Sequence, residues 1–336
     1  MKYIAPRWLP GGNLQTIWPA LYARKVLGAP PAYRRERWAT PDHDFIDVDW
    51  LVNDAPVASP RTLLVQFHGL EGSSGSHYAL AFAEFARDHG MAYAVPHFRG
   101  CSGELNLGPR AYHSGDHEEI GWVLERFRKV HSGPIVAVGV SLGGNALLRW
   151  AQEAGTVAAQ TVSAVAAVSS PIDLAAGGRA IGLGFNRLVY TRMFLKTMKP
   201  KALRKLAQHP GLFDRNALLR ARDLYEFDNV FTAPLHGFKN TEDYWSRASA
   251  KPRLREICIP ALVVNARNDP FVPAWCLPAQ TEVGAYVTLW QPAHGGHVGF
   301  AQGRPPGHVR SMPEAVGGWL LQHIDSSLVN THGRHR

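Results

Sequence analysis

Residues 134–150 read Pro134-Ile135-Val136-Ala137-Val138-Gly139-Val140-Ser141-Leu142-Gly143-Gly144-Asn145-Ala146-Leu147-Leu148-Arg149-Trp150. A short apolar run leads into Gly-x-Ser-x-Gly, and a helix-like stretch follows directly. A serine hydroxyl becomes a useful nucleophile when the chain turns sharply enough to hold it out at a strand end, and the flanking glycines remove the Cβ atoms that would clash in so tight a turn. The pentapeptide alone is a weak signal; between a strand and a helix it is a much stronger one, and it makes Ser141 the first candidate nucleophile.

Outward from this point, strand-like apolar runs recur at 45–52, 62–67, 92–96, 164–168, 261–265 and 286–291. Helix-like stretches at 78–89, 118–131, 145–154 and 313–323 fall between or after them. Strands alternating with helices predict an α/β fold with a mostly parallel central sheet covered by helices on both faces, and ligands in such sheets sit at the carboxyl ends of the strands. The rhythm breaks between about 173 and 256, where aromatic and basic helical segments replace strands; a helical cap inserted over the sheet is the simplest organisation. The chain is therefore expected to be one domain over 1–336, with an extension over 1–30 packed on its body. In that extension Trp8-Leu9-Pro10-Gly11-Gly12-Asn13-Leu14-Gln15-Thr16-Ile17-Trp18-Pro19 mixes tryptophans with turn formers. It has too little regular pattern to form a stable element by itself and is expected to wall the site.

A serine nucleophile needs a base, a carboxylate to orient that base, and donors for the oxyanion. On α/β-hydrolase sheets the chain order is serine, acid, histidine. Downstream of Ser141, the run 261–264 enters Asn265-Ala266-Arg267-Asn268-Asp269-Pro270, which puts Asp269 in a loop at a strand end. The next run enters Pro292-Ala293-His294-Gly295-Gly296-His297-Val298-Gly299-Phe300, where His294 and His297 are both candidate bases that spacing does not separate. His113 and His117 flank Asp116 before a helix, where Asp116 reads as an N-cap. For the oxyanion, Phe67-His68-Gly69-Leu70-Glu71-Gly72-Ser73-Ser74-Gly75 supplies a turn after a strand, so the amides of Leu70 and Leu142 form the expected pair, with His68 bracing the loop. Phe185, Leu188, Tyr190, Met193, Phe194 and Leu195 are candidates for an acyl pocket, although their spacing fits ordinary helix core better.

Composition narrows the function classes. The chain has 336 residues, 36 Lys+Arg against 27 Asp+Glu, and 46% hydrophobic content, enough for a large core. Its +9 charge is dispersed apart from short stretches such as Arg34-Arg35-Glu36-Arg37 and Lys199-Pro200-Lys201-Ala202-Leu203-Arg204-Lys205. Without a basic stripe interleaved with stacking aromatics, no nucleic-acid partner is expected; the second stretch leaves peripheral contact with an anionic membrane open. Three cysteines at irregular spacing form no disulfide or zinc pattern, and no segment reads as a leader or an integral membrane span. The expectation is a cytoplasmic protein acting on a small-molecule ester, with no metal and no cofactor. Substrate-binding residues and oligomeric state are not legible.

Several blocks resemble the YheT-like esterases of the α/β-hydrolase superfamily. They are Leu9-Pro10-Gly11-Gly12-Asn13-Leu14-Gln15-Thr16, His68-Gly69-Leu70-Glu71-Gly72-Ser73-Ser74, Phe98-Arg99-Gly100-Cys101-Ser102-Gly103-Glu104, Tyr112-His113-Ser114-Gly115, Gly139 to Asn145, Thr232-Ala233-Pro234-Leu235-His236-Gly237-Phe238, Asp243-Tyr244-Trp245, and Gly295 to Phe300. The resemblance covers nearly the whole chain. It implies the α/β-hydrolase fold and a serine esterase with Ser141 as nucleophile, Asp269 as orienting acid and His297, rather than His294, as base. It gives no role to the Phe98 and Thr232 blocks. Two other functions remain beside the esterase: an acyltransferase delivering the acyl group to an alcohol or thiol, and a hydrolase-like scaffold that binds without turnover. A histidine base works only when neutral, so activity is expected to fall as pH drops below about 6.5.

Overall fold

The seven apolar runs and one charged segment pair into one eight-stranded sheet. The computed structural model describes residues 1–52 and 61–331, with side chains as far as Ile324. The strands are β1 (Tyr33–Ala39), β2 (Phe45–Leu51), β3 (Leu63–Phe67), β4 (Ala92–Pro96), β5 (Ile135–Val140), β6 (Ala164–Val168), β7 (Ala261–Val264) and β8 (Val287–Trp290), in spatial order β1-β2-β4-β3-β5-β6-β7-β8. From β4 to β8 all pairing is parallel, while β1 and β2 join antiparallel at one edge.

Alternation along each central strand builds two buried layers. Leu63, Val65, Ile135, Ala137, Val165 and Val263 face α3 (His117–Val130) and α4 (Leu142–Ala154), whereas Leu64, Val136, Val138, Ala166 and Leu262 face α2 (His77–Asp88) and the helix Ser311–Thr331. Each of the Val, Leu and Ile side chains among them contributes roughly 1.5–3 kcal/mol when fully buried. Helices of this length are marginal alone in water, so it is this packing that holds α2, α3 and α4. Asp116 caps α3, accepting from the Glu119 amide at 3.4 Å.

Two elements depart from the sequence expectations. The charged run Arg34-Arg35-Glu36-Arg37, to which no strand was assigned, is most of edge strand β1. Its register sets Arg35 opposite Asp49 and Arg37 opposite Asp47, with Nε–Oδ1 distances of 2.7 and 2.8 Å. Paired charges stabilise a strand whose sequence lacks apolar alternation, and they also blunt an open edge. The tryptophan-rich extension, in turn, contains a regular element, α1 (Gly12–Leu21), with Pro19 inside it. Proline has no N–H to give to the carbonyl four residues back. Gln15 O is thus left for another part of the chain, as the site makes clear.

Between β6 and β7 every regular element is helical, beginning with α5 (Leu174–Ile181) and including Arg192–Gln208 and Thr241–Ala248. Among the described residues no helix is long and apolar enough to cross a membrane.

Candidate active site

Ser141 sits between β5 and α4 with φ 52° and ψ −118°, a left-handed backbone that is strained for any residue but glycine. The turn closes because its neighbours lack side chains. A Cβ on Gly139 would lie 2.4 Å from Gly143 O, and one on Gly143 would lie 2.5 Å from His68 O. Asn145, fully buried one turn into α4, donates to Ser114 O and Ala248 O (both 2.8 Å) and accepts from the Ala250 amide (3.0 Å), tying the elbow to two distant loops.

The loops after β7 and β8 bring the other candidates to the serine. His297 Nε2 is 3.0 Å from Ser141 Oγ, and His297 Nδ1 is 2.9 Å from Asp269 Oδ2. The second carboxylate oxygen of Asp269 accepts from the Phe271 and Val272 amides (2.7 and 3.3 Å), so both oxygens of the buried carboxyl group are held by hydrogen bonds. His294 is exposed and, among the described residues, its ring bonds only to Asn268 Nδ2, at 3.5 Å.

The N-terminal helix supports this histidine loop from beneath. Thr16 Oγ1 accepts from the His297 amide at 2.8 Å; Gln15 Oε1 accepts from the Gly295 amide and from Asn268 Nδ2, each at 2.9 Å. A Cβ on Gly299 would come within 1.7 Å of Gln15 O, the carbonyl that Pro19 leaves free of the helix. Gln15 and Thr16 therefore position His297, a role more specific than the wall expected of this segment.

For the oxyanion, the amides flanking Leu70 are already committed. Gly69 N–H donates to Tyr78 Oη (2.8 Å), Glu71 N–H to Tyr112 Oη (3.0 Å) and Gly72 N–H to Gly69 O (3.0 Å). Among the described residues, neither the Leu70 nor the Leu142 amide has an acceptor, and both residues line the same cavity as Ser141. His68 is fully buried: Nε2 accepts from the Phe98 amide at 3.0 Å, which leaves Nδ1 to donate to Gly69 O at 2.8 Å. Burial pushes its pKa down to about 3, so it braces the loop as a neutral ring.

The cavity above the serine is walled by apolar side chains, among them Leu142, Leu174, Ile181, Phe194, Met198 and Phe271. Of the six side chains considered for an acyl pocket, only Phe194 lines it. Tyr190 and Leu195 are buried in packing instead, and Phe185, Leu188 and Met193 point to solvent. The charged groups at the cavity are largely satisfied. Lys201 binds Glu71 at 2.9 Å; Arg99 is held by Asp42, Asp44 and Glu119; Lys205, its pKa lowered to about 8 by burial, donates to the carbonyls of Asn106 and Gly108. Asp228 accepts from Thr232 Oγ1 and Trp245 Nε1, and burial raises its pKa to about 6. Burial likewise raises Cys101 to about 11, which leaves it a poor nucleophile.

Two blocks without an assigned role have structural ones. Arg99 cements the loop after β4 through its three carboxylates, while His236 packs tilted and Phe238 edge-on against His113, whose neighbour Ser114 receives Asn145. Tyr78, Tyr112, Gln15 and Thr16 were not singled out from the sequence as supporting residues. The available signal was that Tyr112, Gln15 and Thr16 fall in the family blocks; Tyr78 had none.

The sequence matches the alpha/beta hydrolase fold family over residues 62–303. It is 38% identical to YheT of Escherichia coli (strain K12), a candidate esterase, over 97% of this chain and 94% of that one. It is also 30% identical to phospholipase ABHD3 of Homo sapiens, over 90% of this chain and 74% of that one. Among solved structures, Est1E from Butyrivibrio proteoclasticus with ferulic acid bound has a TM-score of 0.53 over 88% of this chain and 99% of its own, at 17% identity, a likeness of fold alone.

Proposed function

The chain belongs to the α/β-hydrolase fold family, among its YheT-like esterases, and on that premise we propose that it is a serine esterase cleaving short- to medium-chain or lipid-like carboxylic esters through an acyl-enzyme. The observation that carries the reading is the hydrogen-bonded line Asp269–His297–Ser141, which ends beside two unclaimed amides at an apolar cavity. Neutral His297 accepts the Ser141 proton at Nε2 as Oγ attacks the ester carbonyl carbon. The tetrahedral oxyanion takes hydrogen bonds from the Leu70 and Leu142 amides, each worth on the order of 3 kcal/mol in the transition state. His297 then protonates the departing alkoxide, and the acyl-enzyme forms. In the second half, water gives its proton to Nε2 and attacks the acyl carbon, and Ser141 leaves with the proton returned.

Asp269 accepts the Nδ1–H throughout, which fixes the tautomer that leaves Nε2 free. Three free cysteines fit a reducing cytoplasmic setting. The test is hydrolysis of p-nitrophenyl esters from acetate to palmitate by wild type and Ser141→Ala, with products analysed in the presence of an added alcohol. Serine-dependent release of free acid is expected, with the variant reduced by about 10⁶ in kcat. Acyl transfer to the alcohol in place of hydrolysis would replace the esterase with an acyltransferase, and absence of any serine-dependent turnover would leave a binding protein.

A further inference from the structure

The residues that fail to line the cavity mark a second surface. Leu183, Phe185, Leu188 and Met193 are 68%, 51%, 64% and 53% exposed, all within eleven positions of one helical run that begins at Gly184 and continues through Arg187–Thr191 into Arg192–Gln208. Large apolar side chains this exposed and this clustered are unusual on a monomer surface unless they meet something. Their charged neighbours are of one sign. From 187 to 208 the sequence carries Arg187, Arg192, Lys196, Lys199, Lys201, Arg204 and Lys205 and no acidic residue. Lys201 and Lys205 turn inward to their acceptors; Arg187, Arg192, Lys196 and Arg204 are exposed and, among the described residues, pair with no carboxylate. The opposite side of the same helix presents Phe194 and Met198 to the cavity above Ser141.

We propose that this outer face, with Leu183, Phe185, Leu188 and Met193 flanked by unpaired Arg187, Arg192, Lys196 and Arg204, docks on an anionic phospholipid bilayer. An amphipathic helix lies in a membrane interface when its apolar side chains enter the acyl boundary and its cations meet anionic headgroups. This helix offers both from the same face. A second copy of the chain fits poorly, since the face is uniformly cationic and the whole protein carries +9. Docking here would hold the wall of the substrate cavity against the lipid. The inference extends the esterase reading toward lipid-borne esters, but binding itself requires no turnover.

The test is co-sedimentation of the full chain with vesicles of phosphatidylcholine alone and of phosphatidylcholine with one quarter phosphatidylglycerol, at low and high salt. Two variants accompany wild type: Leu183→Ser/Leu188→Ser/Met193→Ser, and Arg187→Glu/Arg192→Glu/Lys196→Glu. Thermal melting verifies that each is folded. Wild type is expected to bind the anionic vesicles at least about tenfold more tightly than the neutral ones, with weakening in salt, and both folded variants are expected to lose most of that binding. No binding by wild type, or equal binding by the variants, overturns the proposal. Loss in the charge-reversed variant alone, with the serine variant binding normally, also overturns it, because that result describes a polyanion site rather than a membrane face. Serine-dependent hydrolysis of a water-soluble ester is measured separately, so failure of the esterase reading is distinguishable from failure of docking.

Discussion

Thr16→Val isolates what the N-terminal helix does for the histidine. Valine keeps the shape of threonine and removes one oxygen, which in the native chain donates to Gly12 O and accepts from the His297 amide, both at 2.8 Å. Thr16 is only 8% exposed, so water does not readily replace it. An orphaned buried N–H costs about 1–3 kcal/mol. The molecule has two ways to respond. If the loop stays in place, the cost appears as stability, about 1–4 °C in Tm at about 1.4 °C per kcal/mol for a chain of 336 residues. If Gly295 to Val298 shift to find another acceptor, Tm is spared but Nε2 leaves its 3.0 Å contact with Ser141 Oγ, and a displacement of about 1 Å costs on the order of 10²-fold in rate. The glycines at 295 and 296 make the second response accessible, so kcat is expected to fall about ten- to a hundredfold with KM little changed. Thr16→Ser retains the oxygen and should restore kcat. The assay is steady-state hydrolysis of the best p-nitrophenyl ester beside a melting curve for each variant. Wild-type kcat and Tm in Thr16→Val, or a serine variant as impaired as the valine, would refute the positioning argument.

Tyr112→Phe removes the acceptor of the Glu71 amide and the donor to Glu71 Oε1, so the loop carrying the Leu70 amide loosens; kcat should drop roughly tenfold at unchanged KM, out of the ~3 kcal/mol that such a donor supplies, and an unaltered kcat would detach Tyr112 from catalysis. Acid stability follows from buried neutral imidazoles. Burial lowers His68, His113 and His236 to about 3 and His77 to about 4, while in the unfolded chain each takes a proton near 6.5. Between about 6.5 and 4 the unfolded state binds more protons, so stability is full above 6.5 and is lost as pH falls, by roughly 1.4 kcal/mol per pH unit for His68 alone. Asp228, raised to about 6, works the other way from about 6 to 4, and Asp228→Asn should therefore steepen the loss; a Tm that stays flat from pH 7.5 to 5 in Asp228→Asn would contradict the histidine sign, and a loss no steeper in that variant than in wild type would contradict the aspartate's.

The groups proposed for the reacting centre were legible as candidates because each lies beyond the end of a buried parallel strand. Such strands read as apolar runs that need no partner to be recognised, and the residue just past the run falls at the carboxyl edge where chemistry collects. Ser141, Asp269 and His297 share that position after β5, β7 and β8. What escaped was everything whose meaning depends on a distant partner. Strand β1 is specified by carboxylates on β2 rather than by its own pattern, and α1 by contacts with the loop at Gly295 to Gly299, nearly the whole chain away. The five-residue turns Arg187–Thr191 and Asp228–Thr232, wound wider than an α-helix, leave no periodic trace, and a tyrosine such as Tyr78 reads as core whether or not its hydroxyl serves an amide. By spacing alone the choice of His297 over His294 belongs with these, and it was the family resemblance that supplied it. Both side chains occupy one glycine-rich loop, and spacing treats them alike; what separates them is that Thr16 holds the His297 amide while Asn268 and Gln15 hold the turn before it. The proposed base is thus held in place by a helix near the opposite end of the chain. The same tertiary anchoring that made the N-terminal segment unreadable as an element makes it a controlling element of the site.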